Sequence, residues 1–151
     1  MYKLGKISRD QLMSKKTISY VPKDHNCLSP YLMINGLGAF IKFAQKIFQA
    51  KILQQMSGPD GGIRHVAMKL GDSVLMAGEV GSGGAAVSSH LHLYTADPEQ
   101  VYRQALDAGA VAIEPPKNQP YGDLRAAFKD RWGNSWWVAR HMEDVSDKKT
   151  L

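Results

Sequence analysis

The sequence predicts an α+β chain built from two tandem βαβββ modules, and three observations carry that expectation. The segment Gly71-Asp72-Ser73-Val74-Leu75-Met76-Ala77 recurs 62 residues later as Gly133-Asn134-Ser135-Trp136-Trp137-Val138-Ala139, with three identities and one Asp/Asn exchange in seven positions. Strand and helix signals come in the same order around each copy. A glycine-rich stretch, Gly78 to Ser88, separates them. A duplicated small module buries one face against its twin and leaves a shared concave surface, where ligands tend to sit.

Leu28 to Ile34 reads as the first strand, with Leu28, Leu32 and Ile34 on one face and Ser29, Tyr31 and Met33 on the other. Gly36 and Gly38 break it, and Ala39 to Phe48 carries Phe40, Ile41, Phe43, Ala44, Ile47 and Phe48 at helical spacing. Ile52 to Met56 is a strand. The Pro59-Asp60-Gly61-Gly62 turn precedes a strand from Ile63 to Leu70, and Gly71-Asp72 makes a tight hairpin into Ser73 to Ala77. The glycines that follow have no Lys-Ser/Thr pair and no helix start after them, so a linker is expected rather than a phosphate-binding loop. The second pass runs from a strand at His90 to Thr95, through Pro98 at a helix start, to a helix from Glu99 to Ala108 that Gly109 stops. A short strand from Val111 to Glu114 ends at a Pro115-Pro116 break. Strands at Leu124 to Lys129 and from the Trp132-Gly133-Asn134 turn to Arg140 complete the module. The expected organisation is a basic arm (1–26), a first module (27–78), a linker (79–88), a second module (89–141) and a tail (142–151).

At 151 residues the chain is the size of one domain. The lone Cys27 excludes an internal disulfide, and no signal-peptide pattern or long apolar run is present, which points to a cytoplasmic protein with no membrane partner. The net charge of +5 is concentrated at the start. Lys3, Lys6, Arg9, Lys15 and Lys16 against Asp10 put +4 in the first 20 residues and leave +1 for the rest. A basic arm without interleaved aromatics does not read as a nucleic-acid surface. Met13 is a second candidate start of translation.

Taken together, Pro30-Tyr31-Leu32, Phe43 with Phe48, Pro59-Asp60-Gly61-Gly62 through His65, Gly71-Asp72-Ser73, Ala108-Gly109-Ala110, Tyr121-Gly122-Asp123 and Lys129-Asp130 with Gly133-Asn134-Ser135-Trp136 resemble the vicinal oxygen chelate superfamily. That superfamily includes glyoxalase I, extradiol dioxygenases and bleomycin-resistance proteins, and the resemblance is closest to its PhnB-like branch. It implies two modules whose curved sheets form a cup of mixed β-sheet with helices on the outside, and commonly a homodimer that packs intact cups or exchanges modules. Metal-using members place one ligand on the first and last strands of each module. Those positions fall here on Ser29, Leu75 (to within one residue), His90 and Trp137, of which only His90 binds divalent metals. No metal and no cofactor are expected.

Strand alternation supplies a lining for the cup: Ser29, Tyr31 and Met33 from the first strand, His65 from the third, His90, His92 and Tyr94 from the 90s strand, Arg125 and Trp137 from the second module. Trp136, alternating away from Trp137, is assigned to the core. Such a mixture suits a planar or aromatic ligand with an acidic or carbonyl group, because arginine clamps anions and Trp137 and Tyr31 offer flat faces. Each residue also has a bland reading as solvated surface, with Arg125 paired to Asp123 or Asp130 at the rim. Three functions follow: a metal-free small-molecule binding protein; a metal-independent enzyme with His90 or His92 as general base and Arg125 or Tyr94 stabilising an oxyanion; or a nonstandard metal site using His65, His90 and His92.

Overall fold

The computed structural model describes residues 18–81 and 84–146, so most of the basic arm lies outside the described residues. The first module is β1 (Tyr31–Ile34), α1 (Leu37–Phe48), β2 (Lys51–Ser57), β3 (Ile63–Leu70) and β4 (Ser73–Glu79). The second repeats the order with β5 (His90–Tyr94), α2 (Pro98–Asp107), β6 (Val111–Asn118), β7 (Asp123–Lys129) and β8 (Ser135–His141). The α+β class and the two βαβββ modules are therefore as expected. Among the described residues the strands form two four-stranded sheets, ordered β1-β4-β3-β2 and β5-β8-β7-β6, and no closed barrel. In each sheet the first strand runs parallel to the last, and the remaining pairs are antiparallel.

Local chemistry sets the helix ends. Gly36, at φ +86, turns the chain into α1, and the Glu79 carboxylate at the end of β4 accepts from the Gly36 and Leu37 backbone N–H groups at 2.9 and 2.6 Å. A side chain 43 residues away thus neutralises the unpaired donors of the helix start. In α2 the Asp97 side chain accepts from Gln100 N at 3.0 Å, Pro98 occupies the first turn, and Gly109 takes φ +97 beyond the end.

One hydrophobic core joins the modules. Leu32, Ile34, Val66, Met68, Leu75 and Ala77 from the first sheet, the apolar face of α1, Val101 and Ala105 of α2, and Ala126, Phe128, Trp136 and Val138 from the second sheet form a single buried cluster. Phe48 is the hinge of this packing: its ring lies 4.4 Å from Trp136 and 6.3 Å from Phe128, centroid to centroid. Trp132, on the β7–β8 turn, meets Phe40 and Phe43 edge-on and donates its indole N–H to the Asn35 carbonyl at 3.0 Å. Burying an aromatic side chain of this size stabilises the fold by about 1.5–3 kcal/mol. The modules therefore touch through their helix-covered faces.

Buried Asp130 organises the second turn. Its carboxylate accepts from the backbone N–H groups of Trp132 and Asn134, from the Asn134 side chain and from Trp136 Nε1, at 2.9–3.2 Å. Trp136 can be core because its one polar atom is satisfied there.

Two local expectations need correction. Leu28 is exposed and lies outside β1, because Pro30 lacks an N–H and restricts Ser29 before it. Pro115 and Pro116 do not end β6, which runs on to Asn118. The strand is at the sheet's edge, and a register shift between Glu114 and Lys117 absorbs the missing donors.

Candidate functional site

Each sheet has one face in the common core and one face open, and alternation decides which residues fall where. On the open face of the first sheet lie Tyr31 and Met33 of β1, His65 and Ala67 of β3, and Met76 and Gly78 of β4. The Tyr31 ring stacks on His65 at 5.5 Å, and the two share a hydrogen bond between the Tyr31 hydroxyl and His65 Nδ1 at 3.0 Å. Tyr31 reaches His65 by lying across β4, over Gly78.

The open face of the second sheet carries His90, His92 and Tyr94 of β5, Asp123, Arg125 and Ala127 of β7, and Trp137, Ala139 and His141 of β8. His90 stacks on Trp137 with centroids 5.1 Å apart and planes within 20°. His90, Leu91, His92, Arg125 and Trp137 line a groove of about 340 Å³. Arg125 is held by Glu114 at 3.0 Å and by the Tyr121 hydroxyl at 2.9 Å, not by Asp123 or Asp130. Burial works against its charge, but the Glu114 carboxylate outweighs that and raises its pKa, so Arg125 is a fixed cation.

Nine residues were expected to share one lining. Within one chain they do not meet: Tyr31, Met33 and His65 are on one open face, and His90, His92, Tyr94, Arg125 and Trp137 on the other. Among the described residues, every aromatic contact between modules runs through the core. Ser29 precedes β1, half-buried. Ser29 Oγ and Arg125 Nε are the buried side-chain polar atoms left without a partner among the described residues, and both belong to residues expected at the site.

Leu75 is 4% exposed and belongs to the core, while Met76 takes the open-face position. The reason is turn length. The β3–β4 hairpin has two residues and the β7–β8 connection five, so Met76, paired with Tyr31 and Ala67, corresponds to Trp137, paired with His92 and Ala127. The four positions at which the resemblance implies metal ligands therefore hold a hydroxyl, a thioether, an indole and an imidazole already stacked on that indole. This set does not fit a catalytic divalent metal. His65 is on the other open face from His90 and His92, and among the described residues no group of three His, Cys, Asp or Glu side chains is placed to hold an ion.

The pairing of Asp123 with His141 escaped the sequence reading, which offers Asp123 only as a rim partner of Arg125 and gives His141 no role. Asp123 is 2% exposed, and its carboxylate accepts from Tyr94 at 3.0 Å and from His141 Nδ1 at 2.8 Å. His141 Nε2 in turn donates to Asp144 at 2.7 Å. Burial pushes the Asp123 carboxyl up, but the His141 and Tyr94 hydrogen bonds together hold it below its ordinary value. The same bonds raise Tyr94 and, with Asp144, raise His141. Extending β8 by one residue past Arg140 with unbroken alternation was the available signal.

Comparison with known proteins agrees with this architecture. Residues 26–138 match the Glyoxalase/Bleomycin resistance protein/Dioxygenase superfamily. Uncharacterized proteins of Mycobacterium bovis and Mycobacterium tuberculosis are 28% identical over 132 residues, spanning 79% of this chain and 86% and 76% of theirs. Among solved structures, TioX from Micromonospora sp. ML1 superposes with a TM-score of 0.66 at 19% identity, over 78% of this chain and 99% of its own. A member of the glyoxalase/bleomycin resistance protein/dioxygenase superfamily from Sphaerobacter thermophilus gives 0.61 at 18% identity, over 82% and 98%. Repeat, topology and family match agree, and the chain belongs to the glyoxalase/bleomycin resistance protein/dioxygenase superfamily.

Proposed function

We propose that this protein binds a small, partly aromatic, acid- or carbonyl-bearing molecule on the open face of its second module without a metal. The observation that carries the reading is the groove in which Trp137, stacked on His90, stands beside the fixed cation of Arg125 with its unpartnered Nε. Aromatic faces hold a planar group and the guanidinium holds its anion or carbonyl.

A homodimer supplies the other wall. Tyr31 is 50% exposed, Tyr94 62%, Met56 55% and Val111 66%, a density of apolar surface on and beside the open faces that a second copy covers. Because each chain directs its two open faces away from the common core, the cup pairs the first module of one copy with the second module of the other. The Tyr121-Gly122-Asp123 and Asp130 loops support the PhnB-like branch within the superfamily. No helix of the described residues is long and apolar enough to cross a membrane, and the single, exposed, free Cys27 supports a reducing, cytoplasmic setting.

The test is a screen of aromatic acids for quenching of Trp137 fluorescence and for a rise in melting temperature without turnover. Trp137→Phe and Arg125→Ala should each weaken any hit at least tenfold. Complete absence of hits rejects the binding reading. A catalytic reading keeps one supporting feature, the imidazoles of His90 and His92 on the groove. Turnover of a hit that His90→Ala and His92→Ala both leave intact would remove it.

A further inference from the structure

The second-module face holds a polar position outside the Trp137 groove. His141 is four residues beyond Trp137 on β8, on the same face and on the order of 13 Å along the strand. Its ring is oriented from behind: Asp123, buried and also bonded to Tyr94, accepts from Nδ1. That leaves Nε2 as the outward donor. It meets a carboxylate, Asp144 of the chain's own tail, whose side chain is otherwise fully exposed.

The tail is placed there by its backbone. Met142 and Glu143 both donate to the Gly122 carbonyl, at 2.8 and 3.2 Å, and the Glu143 carbonyl fills the space a side chain at position 122 would need. Gly122, at φ +97, is thus what lets residues 142–144 lie against the β6–β7 turn. Asp144 itself contributes no packing. Its contact is the single carboxylate-to-imidazole bond at the surface, which water and small anions exchange easily.

We propose that His141, oriented by Asp123, is a carboxylate-receiving position of the ligand face, and that Asp144 is a built-in competitor that covers it until an acidic ligand displaces it. The inference rests on the binding reading above and gives its ligand a shape: an elongated molecule, aromatic where it meets Trp137 and carboxylated about a dozen ångströms away. Arg125, opposite Ala139, lies between the two positions and suits a carbonyl or second acid along the way.

The experiment uses the full chain and acetate, a carboxylate with no ring. The Nε2 resonance of His141 is followed by NMR in the natural protein and in Asp144→Asn, a fully exposed change that leaves the backbone bonds of the tail in place. Acetate should shift His141 saturably in D144N at a concentration at least fivefold lower than in the natural protein, and acetamide should do nothing. Equal midpoints in the two proteins, or no saturable shift in either, overturns the proposal. Benzoate quenching of Trp137, read on the same samples, reports the groove separately. Quenching without a His141 response defeats this inference and spares the groove, and a His141 response without quenching does the reverse.

Discussion

A side chain at Gly78 and the ring of Tyr31 compete for one space: a Cβ built on Gly78 would lie 2.6 Å from the Tyr31 hydroxyl and 3.0 Å from its Cε1. The absence of a side chain on β4 is what lets Tyr31 cross the strand and bond His65. The clash is with the free end of a flexible side chain, so Gly78→Ala should fold and swing Tyr31 outward. The loss is one exposed hydrogen bond and a ring contact, about 0.5–1.5 kcal/mol. Chemical denaturation should show that small change, and the NMR signal of His65 should move to that of the Tyr31→Phe variant.

Mixing variants reads where the two walls of the proposed cup come from. Tyr31→Ala damages the first-module wall and Trp137→Ala the second. If each cup joins modules of two copies, an unfolded and refolded equimolar mixture should contain mixed dimers with one intact cup and one doubly damaged cup. Isothermal titration should then recover about a quarter of the natural number of tight sites, since about half of the dimers are mixed and each has one good cup of two. Cups built within a single chain would recover none.

Asp130 should be among the costliest residues to truncate. Asp130→Ala leaves the buried Trp136 indole N–H and the Asn134 donors without an acceptor. Each such orphan costs about 1–3 kcal/mol. The melting temperature should fall by more than 10 °C, on the scale of roughly 2–4 °C per kcal/mol for a chain of this length. Asp60→Ala, which breaks an exposed pair with Arg64, should change it by little.

The Tyr94–Asp123–His141–Asp144 chain, with His92 beside Tyr94, makes stability depend on pH from both sides. Asp123 is held below its ordinary 3.8, so its contribution is complete above that pH and is lost as pH falls through the lower folded value. His141 is raised above 6.5, so its contribution is complete below 6.5 and is lost as pH rises through the higher folded value. Melting temperature against pH should therefore plateau between about 4 and 6.5 on account of this chain. His141→Gln should remove the decline on the alkaline side, and an unchanged decline would show that another group causes it.

The sequence alone determined the module order, because strand and helix periodicity and the Gly71/Gly133 repeat are local signals. Alternation also placed Trp136 in the core and Trp137, His90, His92 and Arg125 on the open side, since a strand's two faces are set by counting in twos. Counting held only to within one residue where the second turn is three residues longer: Met76, not Leu75, takes the place that corresponds to Trp137. It could not reveal that Arg125 chooses Glu114, or that Asp123 and His141 meet, because these partners come together only through strand register. Nor could it say which module faces which. That was decided by Phe48, Trp132 and Trp136, whose packing draws the helix-covered faces of both sheets into one core and leaves the two open faces of a chain turned apart.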